Sequence, residues 1–160
     1  MKNIKIFITD CDGVLTDAGM YYFSNGLEAK KFNTRDGMAF SILRKKEIKI
    51  GIITGEDNDI IKNRAKKLNM DFLYTGVSVK ENLLDEICKK YSVNKKNILY
   101  VGDDLNDLEI MKNVGYSCCP ADACQEIKEI ANYTCIKSGG DGVIREIVDN
   151  FFLGGSYEKR

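Results

Sequence analysis

Lys5-Ile6-Phe7-Ile8-Thr9-Asp10-Cys11-Asp12-Gly13-Val14-Leu15-Thr16-Asp17 runs from an apolar stretch straight into carboxylates. A short run that is apolar at consecutive positions, rather than at every second one, reads as a strand buried on both faces. Similar runs recur at residues 49–54, 72–74, 97–101, 116–119 and 133–136. Helix-period segments alternate with them at 36–46, 57–68, 80–91, 105–114, 124–131 and 142–152. This alternation predicts an α/β fold, a Rossmann-like parallel sheet with helices on both faces. Residues 20–23 and 28–32 flank Ser24-Asn25-Gly26, so a protruding β-hairpin is expected over about 20–32. Residues 1–153 read as a single domain and 154–160 as a flexible C-terminal tail.

Composition removes whole classes of function. The 160 residues are 44% hydrophobic, enough for one domain with a sizeable core. Twenty-four basic residues balance 24 acidic ones, so charge favours neither nucleic acid nor an anionic membrane. No apolar run approaches the roughly 18 residues of a membrane span, and the apolar start is too short for a signal peptide. A cytoplasmic protein is expected. The chain has no His, which excludes Ser-His and Cys-His nucleophile pairs and imidazole ligands. Acid/base work falls to Asp, Glu, Lys, Tyr or Cys. The six cysteines form no Cys-x-x-Cys pair, and none is followed six residues later by Arg. They read as reduced, structural thiols.

Parallel sheets place their sites in loops beyond the carboxyl ends of the strands, and four signals sit there. Asp10 and Asp12 share a face two residues apart, and a pair so close needs a cation or a proton between its members. An all-oxygen pocket suits magnesium; the bland alternative is two solvated turn residues. Thr54-Gly55 follows the second strand at the start of a helix, as a phosphate-oxygen site requires, though such a pair is more often only a cap. Lys80 opens a helix against its dipole, an oddity that a bound anion would remove. Gly102-Asp103-Asp104-Leu105-Asn106-Asp107 follows the fourth strand with three acids, which are good magnesium ligands or simply first-turn acids.

Taken in order, Asp10/Asp12, Thr54, Lys80 and Asp103/Asp104 resemble the four motifs of the haloacid dehalogenase superfamily, and the resemblance spans almost the whole chain. It implies a phosphatase in which Asp10 is the nucleophile and forms an aspartyl-phosphate, with Asp12 as acid and then base. Magnesium would be held by the Asp10 carboxylate, the Asp12 backbone carbonyl and Asp103. Thr54, Gly55 and Lys80 would hold the phosphoryl oxygens, and Asp104 would position Lys80 or a metal-bound water. Segments 17–49 and 55–79 leave no room for the cap domain that many members carry.

More closely, the chain is similar to the capless phosphatases of 2-keto-3-deoxy sugar acid phosphates. The shared stretches are 10–17, Lys31-Phe-Asn-Thr-Arg-Asp-Gly37, Thr54-Gly55, 101–104 and Gly139-Gly-Asp-Gly-Val-Ile-Arg-Glu146. That resemblance implies a homotetramer with hairpin-mediated contacts, in which a neighbour closes the site. Thr34, Glu56, Arg64 and Lys67 are the expected substrate contacts. Glu56 and Lys67, where octulosonate enzymes tend to carry Arg, lean the reading toward a nonulosonate 9-phosphate (KDN or N-acylneuraminate) and sialic-acid-type synthesis. The alternative is 3-deoxy-D-manno-octulosonate (KDO) 8-phosphate and lipopolysaccharide synthesis; a further one is a catalytically silent regulatory or scaffold relative.

Overall fold

The computed structural model describes residues 3–154, so most of the expected tail lies outside the described residues. Six strands form one sheet: β1 (Ile6–Thr9), β4 (Lys49–Ile53), β5 (Phe72–Tyr74), β6 (Ile98–Val101), β7 (Tyr116–Cys119) and β8 (Tyr133–Thr134). The spatial order is β5-β4-β1-β6-β7-β8, and every neighbouring pair is parallel. The chain builds outward from β1 to β5, then returns to β1's other side for β6, so the order reverses at β1. Ligand crevices of open parallel sheets form at such a reversal.

Each central strand feeds both faces because successive side chains alternate. Phe7, Ile50, Ile52, Leu99 and Val101 pack under α1 (Thr34–Lys45), α2 (Asp59–Lys67) and α6 (Val143–Phe151). Ile6, Ile8, Ile98 and Tyr100 pack under α3 (Leu84–Tyr91), α4 (Leu108–Lys112) and α5 (Gln125–Ile130). Fully buried side chains of this size each contribute about 1.5–3 kcal/mol. The six cysteines are free, and Cys11, Cys118, Cys119 and Cys135 are buried. No helix among the described residues is long and apolar enough to cross a membrane.

The hairpin is shorter than the sequence suggests. Only Tyr21–Tyr22 (β2) and Glu28–Ala29 (β3) pair, and Met20, Tyr21, Tyr22, Phe23 and Leu27 are exposed. Neither face of this ribbon rests on a core, and an isolated two-stranded ribbon is marginal. The helices expected over 80–91 and 105–114 both start as 3₁₀ turns, Lys80–Leu83 and Leu105–Asp107. Lys80 at one turn and Asp107 at the other are fully buried, so these turns direct charged side chains inward, beneath the ends of the strands.

Candidate active site

The backbone leaves β1 with the Asp10 N–H donating to Val101 O at 2.9 Å. It then folds tightly, the N–H groups of Val14, Leu15 and Thr16 all donating to Cys11 O. Gly13 takes φ +82° in this loop, and a side chain there would occupy the place of the Asp103 carboxylate. The glycine therefore lets the β6 loop close against the β1 loop. Thr54 is held at the end of β4 by its N–H donating to Tyr74 O at 3.0 Å. Asp10, Asp12, Thr54, Gly55, Glu56, Asp103, Asp104 and Asn106 line one open cleft of about 640 Å³.

Beneath the cleft lies a buried ionic network. Lys80 Nζ is 3.1 Å from Asp10 Oδ1 and donates to Asp107 Oδ1 at 2.7 Å. Tyr100 Oη donates to the same Asp107 oxygen at 2.7 Å, and the Asp103 N–H donates to Asp107 Oδ2 at 3.0 Å. The Asp12 carboxylate takes Lys30 Nζ at 2.7 Å and Thr16 Oγ1 at 3.0 Å, both on Oδ1. Buried Asp12 Oδ2 and Asp103 Oδ1 have no donor, and Asp10 Oδ1 meets only the ammonium, in ion-pair geometry.

Known proteins resemble this chain over nearly its whole length. A haloacid dehalogenase-like hydrolase family profile matches residues 73–147. The 3-deoxy-D-manno-octulosonate 8-phosphate phosphatase of Escherichia coli K12 is 37% identical over 152 residues, 95% of this chain and 81% of that one. The chain belongs to the haloacid dehalogenase-like hydrolases. The corresponding Haemophilus influenzae phosphatase is 34% identical, covering 93% of this chain and 83% of that one. The Moraxella catarrhalis phosphatase, solved with magnesium, phosphate and KDO, superposes with a TM-score of 0.90 at 32% identity, covering 93% and 86%. The cobalt-bound Haemophilus influenzae structure gives 0.88 at 34% identity, covering 93% and 87%. This hydrolase is a phosphomonoesterase.

The hydrolase's acidic residues fit a divalent cation. One carboxylate oxygen from each of Asp10, Asp103 and Asp107 lies within 4.8 Å of the others, and the donor-free Oδ1 of Asp103 is the sort a cation satisfies. Burial, reinforced by Asp107, pushes the Asp10 carboxyl up to about 7, with Lys80 opposing. Burial and then the charges of Asp10, Asp107 and Asp104 push Asp103 up to about 8. Burial alone would lower Lys80, but Asp10 and Asp107 outweigh it and raise its pKa, so the ammonium stays charged. A bound cation would return both carboxyls to the ionised form, and without one an anionic phosphate would meet an acidic wall.

The structure corrects several expectations for the hydrolase. Asp104 does not touch Lys80: it is exposed, and its Oδ1 accepts from the Leu105 N–H at 2.8 Å. Asp107, the third acid of the 102–107 loop and not among the expected site residues, is the partner that holds Lys80. The clue lay in Tyr100, a phenol in the middle of a buried strand, which needs an acceptor within reach. Glu56 lines the cleft, where its Oε2 accepts from Asn58 Nδ2 at 2.8 Å, but Lys67 is exposed at the other end of α2. Eleven residues, mostly helical at about 1.5 Å each, separate the two, so one chain does not bring them together. Arg64 does not line the cleft, its Nη2 donating to Asn33 O at 3.0 Å with its guanidinium 5.0 Å from the Phe32 ring centroid. Thr34 is exposed at the first position of α1. Nothing near Lys30 in sequence marks it as a site residue, yet it reaches Asp12 from the hairpin, 18 residues away.

Proposed function

We propose that the protein hydrolyses the terminal phosphate of 3-deoxy-D-manno-octulosonate 8-phosphate, by way of an aspartyl-phosphate on Asp10 and with magnesium as cofactor. The observation that carries this reading is the buried Lys80 between Asp10 and Asp107, which sets a neutralised nucleophile at the floor of the cleft. The octulosonate substrate is favoured over a nonulosonate because the relatives named above act on KDO 8-phosphate and match over nearly the whole chain.

An Asp10 carboxylate oxygen attacks phosphorus while the bond to the sugar oxygen breaks. Asp12 delivers its proton to the leaving alkoxide from Oδ2, the oxygen with no other partner. Water then attacks the same phosphorus, Asp12 takes a proton back, and Asp10 is released. Thr54, Gly55 and Lys80 hold the phosphoryl oxygens in both steps. Asp10, the Asp12 backbone carbonyl and Asp103 would hold the magnesium ion, which supplies charge neutralisation at the phosphate. Asp104, solvent-facing at the cleft, would act on the solvent side of that ion rather than on Lys80.

Thr34, Arg64 and Lys67 would contact the sugar acid only across an interface with another copy of the chain. The exposed Met20, Tyr21, Tyr22, Phe23 and Leu27 support a homotetramer built on hairpin contacts. A second substrate reading, a nonulosonate 9-phosphate, is favoured by Glu56, an acceptor for sugar hydroxyls at the cleft mouth. Magnesium-dependent phosphate release from the two compounds, side by side and with Asp10→Asn as control, separates them. The octulosonate is expected to be preferred by tenfold or more; the reverse preference selects the nonulosonate, and release equal to the control refutes both.

A further inference from the structure

Lys30 has no place in the phosphoryl-transfer chemistry described above, yet its geometry is that of a built contact. It lies just after the short strand Glu28–Ala29, in a hairpin whose other large side chains face solvent, but its own side chain is only 2% exposed. Its ammonium donates to Asp12 Oδ1 at 2.7 Å and lies 3.7 Å from Glu56 Oε2. Burying an ammonium is costly unless it is paired, so these carboxylates, not packing, fix its position. A surface lysine four carbons long would otherwise keep its charge in water.

The two oxygens of Asp12 are treated differently. Oδ1 accepts from both Lys30 and Thr16, while Oδ2 is buried beside the cleft with no donor. A carboxyl turns freely about its last bond unless something distinguishes its oxygens. Two donors on one oxygen do so, and they leave the other for the proton that must travel to the leaving group. Thr16 belongs to the same tight loop as Asp12 and comes with it. Lys30 arrives from the hairpin and makes the orientation depend on the hairpin being in place.

We infer that Lys30 is a positioning residue for the acid/base step: its ammonium pins Asp12 Oδ1, presents Oδ2 to the leaving alkoxide and couples the hairpin to proton transfer. The inference rests on Asp12 being the acid/base of the phosphatase reading above. It reaches past that reading by assigning the hairpin a part in the chemistry within each chain.

The leaving group tests it. A sugar alkoxide needs a proton as it departs, whereas p-nitrophenolate leaves without one. Because kcat/KM reports the phosphorylating step alone, Lys30→Met is expected to lower kcat/KM on the sugar acid phosphate by about 30- to 100-fold, part of the 10²–10⁴-fold that a positioned acid supplies. On p-nitrophenyl phosphate kcat/KM should stay within about threefold, while kcat, which includes the hydrolysis that Asp12 assists as base, falls for both esters. Lys30→Arg, which keeps the charge, should recover part of the alkyl-phosphate loss. Should the methionine variant not fold, the arginine variant carries the test alone, with a larger loss on the alkyl than on the aryl ester.

Equal losses of kcat/KM on both esters would mean a structural role, a rise in KM with kcat unchanged would mean substrate binding, and no loss would mean no role; each overturns the inference. Wild type that ignores both sugar acid phosphates but cleaves glycerol phosphate defeats the substrate assignment only. The Lys30 comparison is then made between glycerol phosphate and the aryl ester. Wild type inert toward every ester overturns both readings.

Discussion

The two ends of the same parallel sheet are built on opposite rules. At the amino ends of the strands, Lys5, Glu47, Lys49, Asn94 and Asn97 surround a shallow hollow of about 380 Å³. Their polar groups are spent on the fold: Asn97 Nδ2 donates to Asn3 O at 2.8 Å, and Asp71 takes the Ile50 N–H and Lys49 Nζ, both at 2.9 Å. At the carboxyl ends, Asp10, Asp36, Asp107 and Lys80 are buried, and Asp12, Asp36 and Asp103 each keep a buried oxygen with no donor. A buried polar atom without a partner costs about 1–3 kcal/mol. A chain that accepts this at Asp12, Asp36 and Asp103 at one end, against the single Asn150 Oδ1 toward the other among the described residues, has traded stability for a site.

That contrast predicts how substitutions divide. Asp10→Asn should have the largest effect, lowering phosphate release by about 10⁴-fold or more while the protein still folds, as single-turnover phosphate assays and circular dichroism would reveal. If activity survived, the buried charge at this end would be structural and the contrast would lose its functional meaning. Asp107→Leu strands the Lys80 ammonium in the interior and should destabilise the fold by about 3–5 kcal/mol in urea denaturation. A cost as small as that of a surface change would show that the network is not a unit.

Asp36 sharpens the comparison through pH. Burial raises its carboxyl from 3.8 to about 6, against the pull of the Arg145 N–H that it accepts. The folded state therefore holds this proton more tightly than the unfolded chain does. The stability it brings is complete below pH 3.8 and is lost as pH rises through about 6. The difference amounts to about 3 kcal/mol. Asp36→Asn should flatten that part of the stability–pH curve, measured by urea denaturation at intervals from pH 4 to pH 7; an unchanged slope would remove Asp36 from the costly end. The smallest effect belongs to the other end, where Lys49→Met breaks an exposed pair and should leave the urea midpoint unmoved.

The same division explains what was legible in the chain. Ile6–Thr9, Lys49–Ile53 and Ile98–Val101 could be found because strands buried on both faces are apolar throughout. Asp10, Asp12, Thr54 and Asp103 could be placed because each directly follows such a strand. The residues that support them could not. Asp107 returns to Lys80 over a 3₁₀ turn that looks like an ordinary helix start, and Lys30 crosses from a ribbon whose path no local signal describes. Spacing along the chain was equally silent on Lys67, which lies at the far end of α2 from Glu56.

The central claim is that Asp10 and Asp103, with the Asp12 backbone carbonyl, form a divalent-cation site at the carboxyl ends of the strands. It is tested most directly by following thermal unfolding during a magnesium titration of the wild type and of Asp103→Asn. Binding to the folded state alone should stabilise the wild type by an amount that grows with the logarithm of magnesium above Kd, about 2.7 kcal/mol at 100 times Kd, and should leave the variant nearly unmoved. A wild type indifferent to magnesium, or a variant that gains as much, would contradict it.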